Sequence, residues 1–300
     1  MPERPETSVV ILTKNAGPEF RQTLTQIFRQ QTQNSFEVIV VDSGSTDQTL
    51  EIVNDFPVRK FTIPPHEFNF GLTRDYGFSL AAGDYLITLS QDAIPENDQW
   101  LQNLIRPFSS NPNLMAVQGA LRLPSDRPAF YWDRRNRFYF TSETTRWLEK
   151  HNKVGLAFVN CAVRRAFWAT HPIGFTPMSS DKKFQTLIHA AGGEATFAED
   201  AVCIHGHDYT FRSLVRTIYL QGVGRKYAGM EYSLKDCILD IIKNKGMLRE
   251  GFAAARRREI RTWYELFYLF LRPPCVYWGN RTQVRGFSKK ISGSPSSPRH

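Results

Sequence analysis

The chain has 300 residues, 38 of them Lys or Arg and 29 Asp or Glu, which gives a formal net charge of +9. The positive excess lies at one end, because residues 1–240 carry a net charge of −1 and residues 241–300 carry +10. A nucleic-acid-binding domain is expected to spread basic residues over its folded surface, so this distribution argues against a nucleic-acid partner. The 41% hydrophobic content excludes a disordered chain.

The first part of the chain predicts alternating strands and helices. Residues 1–7 lack the basic-then-apolar order of a secretory signal peptide. Apolar runs and helical spacing then predict strands at 8–13, 36–41, 58–63 and 84–89, separated by helices at 19–31, 46–56 and 73–82. This order is typical of a mostly parallel sheet covered by helices.

The second part is more mixed. Strands are predicted near 115–123 and 156–163, with an aromatic and basic stretch between them at 130–140. From residue 211 the pattern is helical, and 288–300 is predicted to be a disordered tail. The cysteines are far apart without a Cys-x-x-Cys pair, which predicts reduced thiols in a cytosolic protein: Cys161, Cys203, Cys237 and Cys275.

Polar segments follow three of the predicted strands, at 13–15, 42–47 and 90–93. In open parallel sheets the ligand binds beyond the carboxyl ends of the strands. The common phosphate-binding glycine motifs are absent, which disfavours a dinucleotide oxidoreductase or a P-loop enzyme. Asp42, Asp47 and Asp92 stand there instead, although a single Asp at such a place is also typical of a helix cap or a turn.

Four motifs in chain order carry a resemblance to a known family. They are Ser-Val-Val-Ile-Leu-Thr-Lys-Asn at 8–15, Val-Ile-Val-Val-Asp-Ser-Gly-Ser-Thr-Asp at 38–47, Gly-Leu-Thr-Arg-Asp-Tyr-Gly at 71–77 and Ala-Gly-Asp-Tyr-Leu-Ile-Thr-Leu-Ser-Gln-Asp at 82–92. Together they resemble the nucleotide-sugar half of a family 2 glycosyltransferase. The resemblance implies an α/β GT-A fold, with a mostly parallel Rossmann-like sheet covered by helices and a C-terminal helical basic extension.

Three further motifs are most similar to the bacterial rhamnosyltransferase branch: Gln-Asp-Ala-Ile-Pro at 91–95, His-Glu-Phe-Asn-Phe-Gly at 66–71 and Ile-His-Gly-His-Asp-Tyr at 204–209. The resemblance extends over roughly residues 7–225. It implies a catalytic domain at 1–230, with a nucleotide-sugar half at 7–112 and an acceptor half at 113–230. A helical basic extension at 231–287 and the tail at 288–300 complete the predicted organisation.

The implied activity is inverting hexosyl transfer from a nucleotide-sugar to a saccharide or lipid-linked acceptor of a growing surface polysaccharide. The favoured donor is dTDP-rhamnose, with UDP- and GDP-sugars as alternatives. Because the leaving pyrophosphate gains negative charge, a divalent metal, Mn²⁺ or Mg²⁺, is expected as cofactor. The alternatives are a catalytically weak nucleotide-sugar binding protein of the same fold and, less favoured, a basic nucleic-acid-binding protein.

The resemblance also assigns the donor site. Asp92 is the single carboxylate at the metal and pyrophosphate position, beside Gln91, and Arg74 pairs with the pyrophosphate through its planar guanidinium. Asp42 is expected to contact the base, and the remaining residues of the donor pocket are Thr13, Lys14, Asn15, Ser43 and Asp47.

Two histidines are candidates to complete the metal site. His205 and His207 lie two apart on a segment predicted to be extended, so their side chains are expected to point the same way. Either one is expected to be a metal ligand by resemblance, with a hydrogen-bonded surface histidine as the alternative for each.

The general base is assigned to Asp181, because the family's base is an Asp that opens a helix and Ser-Ser-Asp at 179–181 has that form. An N-cap role is the alternative for Asp181. The pair Glu199 and Asp200 looks more like the family's motif, but it lies just before the segment that leads to His205.

The C-terminal region interleaves basic and aromatic residues between 243 and 285, a pattern typical of a membrane-surface element. The apolar run at 266–271 is too short to span a bilayer. The sequence therefore predicts a cytoplasmic enzyme in peripheral contact with the anionic inner face of the plasma membrane. The alternative is that the basic residues form a solvated helix face and the aromatic side chains pack on the catalytic domain: Phe252, Trp263, Tyr264, Phe267, Tyr268, Phe270, Tyr277 and Trp278.

Overall fold

The computed structural model describes residues 4–134 and 142–284. This part of the chain forms an eight-stranded sheet. In chain order the strands are β1 (Thr7–Thr13), β2 (Phe36–Asp42), β3 (Arg59–Thr62), β4 (Tyr85–Ser90), β5 (Ile94–Pro95), β6 (Leu114–Arg122), β7 (Asn160–Arg164) and β8 (Glu194–Ile204).

The strand order across the sheet is β3-β2-β1-β4-β7-β6-β8-β5. Strands β1 to β4 are parallel to one another, as the alternating pattern predicts. The second half is mixed, because β7 runs antiparallel to both β4 and β6, β8 is parallel to β6, and β5 is antiparallel to β8. The carboxyl ends of β1, β2 and β4 meet at one edge of the sheet.

Helices surround this sheet and continue beyond it. They are α1 (Phe20–Phe28), α2 (Thr49–Asn54), α3 (Phe70–Leu80), α4 (Trp100–Ile105), α5 (Pro107–Ser110), α6 (Ser142–Lys150), α7 (Arg165–Thr170), α8 (Ser180–Ala190), α9 (Phe211–Tyr227), α10 (Leu234–Asn244), α11 (Leu248–Arg256), α12 (Trp263–Leu266) and α13 (Tyr268–Arg281). No helix in the described ranges is long and apolar enough to cross a bilayer.

Both faces of the sheet are buried. Strand β1 contributes Val9 and Ile11 to one apolar cluster and Val10 to a second, and all three side chains are inaccessible to solvent. Alternate residues of a strand point to opposite faces, so a continuous apolar run is what a strand covered on both sides requires. The prediction of a buried first strand is confirmed.

Several element boundaries differ from the predictions, among them those of α3 and β7. Helix α3 begins at Phe70 rather than at residue 73, because the side chain of Asn69 caps it by accepting hydrogen bonds from the amides of Gly71 and Leu72. Strand β7 begins at Asn160 rather than at residue 156. At β7 the apolar pattern begins before the strand does, and at α3 it begins inside the helix, so only the hydrogen bonds define the two ends.

The C-terminal helices pack against the rest of the molecule. Helices α9 and α13 approach so closely that a Cβ at Gly279 would lie 2.1 Å from the Tyr219 carbonyl oxygen and one at Gly222 2.5 Å from that of Val276. Their shared core includes buried Tyr268. The structure shows the helices of the predicted extension as far as the described residues reach, which is residue 284. The division into domains near residue 230 stays a prediction.

The C-terminal aromatic side chains differ in exposure, and their contact with a membrane stays a prediction. Tyr268 is buried, as expected for packing on the catalytic domain, whereas Phe252, Trp263 and Trp278 are 49%, 58% and 64% exposed. Most of the aromatic and basic stretch at 130–140 and the tail at 288–300 lie outside the described residues. The four cysteines are free thiols.

Candidate active site

A cleft of about 430 Å³ lies at the edge of the sheet where β1, β2 and β4 end. Six of the nine predicted donor residues line it, namely Thr13, Lys14, Ser43, Arg74, Gln91 and Asp92. The predicted convergence of the polar segments after these strands is therefore seen in the structure.

Asp42 lies beneath the cleft and is fully buried. Its Oδ1 accepts hydrogen bonds from the backbone amides of Gly44 and Ser45, each at 2.9 Å, and its Oδ2 accepts one from the Thr13 hydroxyl at 3.0 Å. These contacts make Asp42 the residue that shapes the loop after β2. A direct contact with a nucleobase stays a prediction.

Asn15 and Asp47 are not among the residues that line the cleft, and they hold its loops together. The Asn15 side-chain oxygen accepts a hydrogen bond from the Thr46 amide at 2.8 Å, and the Asp47 carboxylate accepts from the amides of Gly17 and Thr49. The hydrogen bond from the Thr49 hydroxyl is the main cause that lowers the pKa of Asp47. In the structure Asp47 therefore acts as a turn former, which is the alternative role that the sequence allowed.

Gln91 stands beside Asp92 and joins two loops. Its side-chain oxygen accepts a hydrogen bond from the Lys14 amide at 2.9 Å, while its side-chain nitrogen donates to the Lys14 carbonyl at 3.3 Å. A carboxylate could make only the first of these contacts, because it has no hydrogen to donate. Gln91 therefore fixes the loop after β1 to the loop after β4.

Asp92, His205 and His207 come together into a group that could hold a metal ion. One potential ligand atom from each lies within 4.8 Å of the others. The pairing of Ile94 in β5 with Ile204 in β8 places the segments that carry them side by side. The His205 and His207 rings lie 4.6 Å apart, so the prediction that both side chains point the same way agrees with the geometry.

The donor atoms of this group suit a divalent cation. His205 is 2% exposed, its Nε2 lies 3.4 Å from Asp92 Oδ1, and its Nδ1 has no hydrogen-bond partner within the described residues. Although burial raises the pKa of Asp92, the hydrogen bond and charge of His205 and the charge of His207 lower it to about 2. An ionised carboxylate next to two imidazoles is a chemically reasonable site for Mn²⁺.

Arg74 is a buried cation at the wall of the cleft. It is 7% exposed, its guanidinium lies 4.7 Å from the centre of the Phe158 ring, and its Nε and Nη1 have no hydrogen-bond partner in the described part of the chain. Burial lowers the pKa of Arg74 to about 10, against the opposing charge of Asp181, so the side chain stays protonated at neutral pH. Unsatisfied buried donors are costly, and an anionic ligand would satisfy them.

Asp181 lies in the first turn of α8, next to Lys182. Its Oδ2 lies 3.4 Å from Lys182 Nζ, and its side chain keeps 20% of its surface exposed. The N-cap residue of α8 is Ser179, in a left-handed conformation with φ of 58°, so the N-cap alternative for Asp181 is not what the structure shows. Asp181 is not itself among the residues that line the cleft, but its charge acts on Arg74.

Comparisons with known proteins agree with this site. The model of "Glycosyl transferase family 2" matches residues 8–170, which include the ends of β1, β2 and β4. The chain belongs to this family. It is a glycosyltransferase, and its predicted family is confirmed.

Two curated relatives of this glycosyltransferase are O-antigen chain rhamnosyltransferases. WbaN of Salmonella anatum is 28% identical over 228 residues, which cover 73% of this chain and 72% of WbaN. RfbN of Salmonella typhimurium is 29% identical over 226 residues, which cover 72% of this chain and 71% of RfbN. The resemblance to this branch of the family is confirmed.

Solved structures share the fold of the glycosyltransferase at low sequence identity. The mannosyltransferase PcManGT of Pyrobaculum calidifontis, in complex with GDP-Man and Mn²⁺, has a TM-score of 0.61 at 16% identity and covers 93% of this chain and 86% of its own. The glucosyl-3-phosphoglycerate synthase of Mycobacterium tuberculosis, in complex with Mn²⁺ and UDP-glucose, has a TM-score of 0.59 at 15% identity, with 76% and 81% covered. The predicted GT-A fold is confirmed.

The pair Glu199 and Asp200 lies within β8 of the glycosyltransferase, not before a strand as the sequence suggested. Asp200 binds the exposed side chain of Arg106 at 2.6 Å. It lies at an irregularity in the pairing of β6 with β8, and it does not line the cleft. The choice of Asp181 as general base stays a prediction.

Among the lining residues that were not assigned a role from the sequence are His66, Phe68 and Phe70. All three belong to the motif at 66–71, so the sequence did point to this segment. The motif alone does not reveal which of its side chains face a ligand. The Phe68 and Phe70 rings lie 4.9 Å apart, edge to face. They give the glycosyltransferase's cleft one aromatic wall.

Proposed function

We propose that this glycosyltransferase transfers rhamnose from a nucleoside diphosphate donor, with dTDP-rhamnose favoured over UDP- and GDP-sugars, to a hydroxyl of a growing surface saccharide. The observation that carries the proposal is one cleft lined by Arg74, with unused donors, and by Asp92, which forms a possible metal site with the neighbouring His205 and His207. The similarity to two O-antigen rhamnosyltransferases supports the choice of sugar.

The proposed reaction is a single displacement with inversion at the anomeric carbon. The acceptor hydroxyl oxygen forms a bond to that carbon while the bond to the diphosphate oxygen breaks, and the bonding electrons leave with the nucleoside diphosphate. Asp181 accepts the hydroxyl proton as general base. Lys182 Nζ lies 3.4 Å from the Asp181 carboxylate.

Arg74 is proposed to bind the diphosphate through Nε and Nη1, because a guanidinium matches two phosphate oxygens at once. A divalent cation, Mn²⁺ or Mg²⁺, held by Asp92, His205 and His207 would supply Lewis-acid stabilisation of the leaving diphosphate. The two imidazoles favour Mn²⁺, since Mg²⁺ prefers oxygen ligands.

The acceptor is proposed to be saccharide attached to a lipid carrier, which places the enzyme in peripheral contact with an anionic membrane. The relatives support this choice, because they act on O-antigen chains. The exposed aromatic side chains Phe252, Trp263 and Trp278 are compatible with such contact.

A donor screen tests the proposal. The full chain is incubated with dTDP-rhamnose, UDP-sugars or GDP-sugars, with and without Mn²⁺, and released nucleoside diphosphate is measured. We expect release from dTDP-rhamnose that depends on the metal and is lost in Asp92→Asn. Exclusive turnover of another donor would overturn the choice of rhamnose.

A second candidate function is binding of a nucleotide-sugar without transfer, favoured by Asp92 being the single carboxylate of the group that could hold a metal. It predicts saturable binding of donor and Mn²⁺ with no release of nucleotide from any donor in the screen. The same experiment therefore separates the two functions.

A further inference from the structure

One side of helix α10 is half-exposed in the described part of the chain. Cys237, Asp240 and Asn244 face the protein and are buried. The other side exposes four aliphatic side chains to about half of their surface: Leu234 at 53%, Ile238 at 50%, Leu239 at 50% and Ile242 at 55%. With 3.6 residues per turn these four lie on one half of the helix surface. An apolar surface of this kind marks a place of contact.

Basic side chains accompany the aliphatic ones. Lys235 lies between Ile242 and Leu239 around the helix axis, and Lys243 lies at the border next to Leu239. Both lysines are exposed. We call Leu234, Lys235, Ile238, Leu239, Ile242 and Lys243 together the α10 face.

The two carboxylates of α10 add no negative charge to this face. Asp240 is 2% exposed and accepts a hydrogen bond from the Tyr232 hydroxyl at 2.7 Å. Asp236 binds Arg146 of α6 at 2.9 Å. The α10 face is therefore aliphatic and cationic.

We propose that the α10 face docks on an anionic lipid bilayer. Lysines attract anionic headgroups while aliphatic side chains enter the boundary of the acyl region, and both features occur here on one helix that lies on the surface of the protein. A second copy of the chain is a poorer occupant, because face-to-face packing would bring Lys235 and Lys243 close to their own copies.

This proposal assigns the membrane contact to α10, which overlaps the basic and aromatic segment predicted at 243–285 only at its C-terminal end, where Lys243 lies. It rests on the proposed function for its purpose, which is to bring the cleft to a lipid-linked acceptor. The binding itself does not depend on turnover, so the two can fail separately.

Co-sedimentation with vesicles tests the α10 face. The full chain is mixed with vesicles of phosphatidylcholine alone or of phosphatidylcholine with phosphatidylglycerol, and the bound fraction is measured. We expect binding only to the anionic vesicles. The variant Leu234→Gln, Ile238→Gln, Ile242→Gln should bind roughly 100-fold more weakly, from a loss of about fivefold for each half-buried aliphatic side chain.

A charge variant tests the second feature without changing the apolar surface. Lys235→Gln, Lys243→Gln should bind about 25-fold more weakly, since each lysine near the surface contributes about fivefold. The matched control is Arg29→Gln, Lys60→Gln, which removes two exposed charges, one just after α1 and one in β3, and should bind as wild type. For the aliphatic variant the control is Phe197→Gln, which removes an exposed ring from β8.

The donor screen is run on every variant as a test of folding and of the proposed function. Unchanged vesicle binding by the folded triple variant overturns the proposal, as does equal loss in the controls. The proposal is also overturned if the wild type is a dimer and the triple variant is a monomer, because the α10 face would then be an interface between copies. Vesicle binding that follows the expected pattern without turnover of any donor would leave the α10 face supported and the proposed function wrong.

Discussion

Asp181 is the residue on which the proposed chemistry depends most. Replacement of Asp181 by Asn keeps the shape of the side chain but removes the group that accepts the proton. We therefore expect kcat to fall by about 10²- to 10⁴-fold. Steady-state rates with dTDP-rhamnose and a saccharide acceptor measure the loss, and calorimetric titration should show unchanged donor binding.

The matched control is Asp200→Asn, because Asp200 belongs to the alternative pair and its partner is the exposed Arg106. We expect wild-type rates from this variant. If instead Asp200→Asn lost activity and Asp181→Asn kept it, the assignment of the base would have to be reversed.

Arg74 makes a prediction that separates charge from packing. Arg74→Gln removes the buried cation with unused donors, so affinity for a nucleoside diphosphate should fall by roughly 10- to 100-fold, the range expected for hydrogen bonds to a charged group. Binding of the nucleoside without phosphate should not change. Equal weakening of both ligands would mean that Arg74 only supports the cleft.

At the scale of elements, Asp75 ties helix α3 to the loop that leads into α8. Its carboxylate accepts hydrogen bonds from Trp168 Nε1 at 2.7 Å and from the amides of Ile173 and Gly174 at 3.0 and 2.7 Å. Burial raises the pKa of Asp75 even though these hydrogen bonds oppose the shift. The contact helps to hold Asp181 relative to Arg74.

Asp75→Asn should lower the free energy of unfolding by about 1–3 kcal/mol. The Asn side-chain nitrogen is a hydrogen-bond donor, and it would replace a carboxylate oxygen that now accepts a hydrogen bond. Urea unfolding followed by fluorescence measures the change. The control is Asp84→Asn, since Asp84 is exposed and binds exposed Arg4, and such surface pairs contribute about 0–1 kcal/mol. A neutral Asp75→Asn would show that the loop is held by other contacts.

The sequence predicted those elements that carry their own periodic signal. Strand β1 and the polar residues that follow β1, β2 and β4 were found because apolar runs and their ends are visible locally. Strand β5 was not found, since Ile94 and Pro95 form a strand of two residues. Yet this short strand brings Asp92 to His205, so the choice between the two histidines could not be made from spacing alone.

The same limit applies to exposure. The sequence showed that the C-terminal region is basic and aromatic, but it could not show which apolar side chains stay outside. Tyr268 and Trp263 lie five residues apart in chemically similar surroundings, and one is 6% and the other 58% exposed. Tertiary packing, which depends on distant residues, decides between them.

At the scale of the whole molecule, Asp236 links the stability of the C-terminal helices to pH. Burial alone would raise its pKa, but hydrogen bonds from Arg146 and Ser233 lower it to about 2. A carboxyl group with a lowered folded-state pKa stabilises the fold above its unfolded value near 4, and this contribution is lost as the pH falls from about 4 to about 2.

Asp236→Asn should therefore be less stable than wild type by roughly 2 kcal/mol at pH 7, with the difference shrinking below pH 4. Chemical unfolding at a series of pH values measures it. Asp55→Asn serves as control, because Asp55 and its partner Arg21 are both more than half exposed. A difference between Asp236→Asn and wild type that does not vary with pH would assign the effect to the helix cap instead.

The backbone of α9 packs on α13 at Gly222 and Gly279, and at Gly224 a Cβ would lie 2.3 Å from the Met178 carbonyl oxygen, so the C-terminal helices are joined closely to the segment that leads into α8. Whatever surface those helices rest on thus fixes the direction in which the cleft opens. Held on a bilayer in this way, the enzyme would meet lipid-linked acceptors by lateral diffusion in two dimensions, while nucleotide donors arrive from solution in three. The two substrates would then be governed by separate encounter rates.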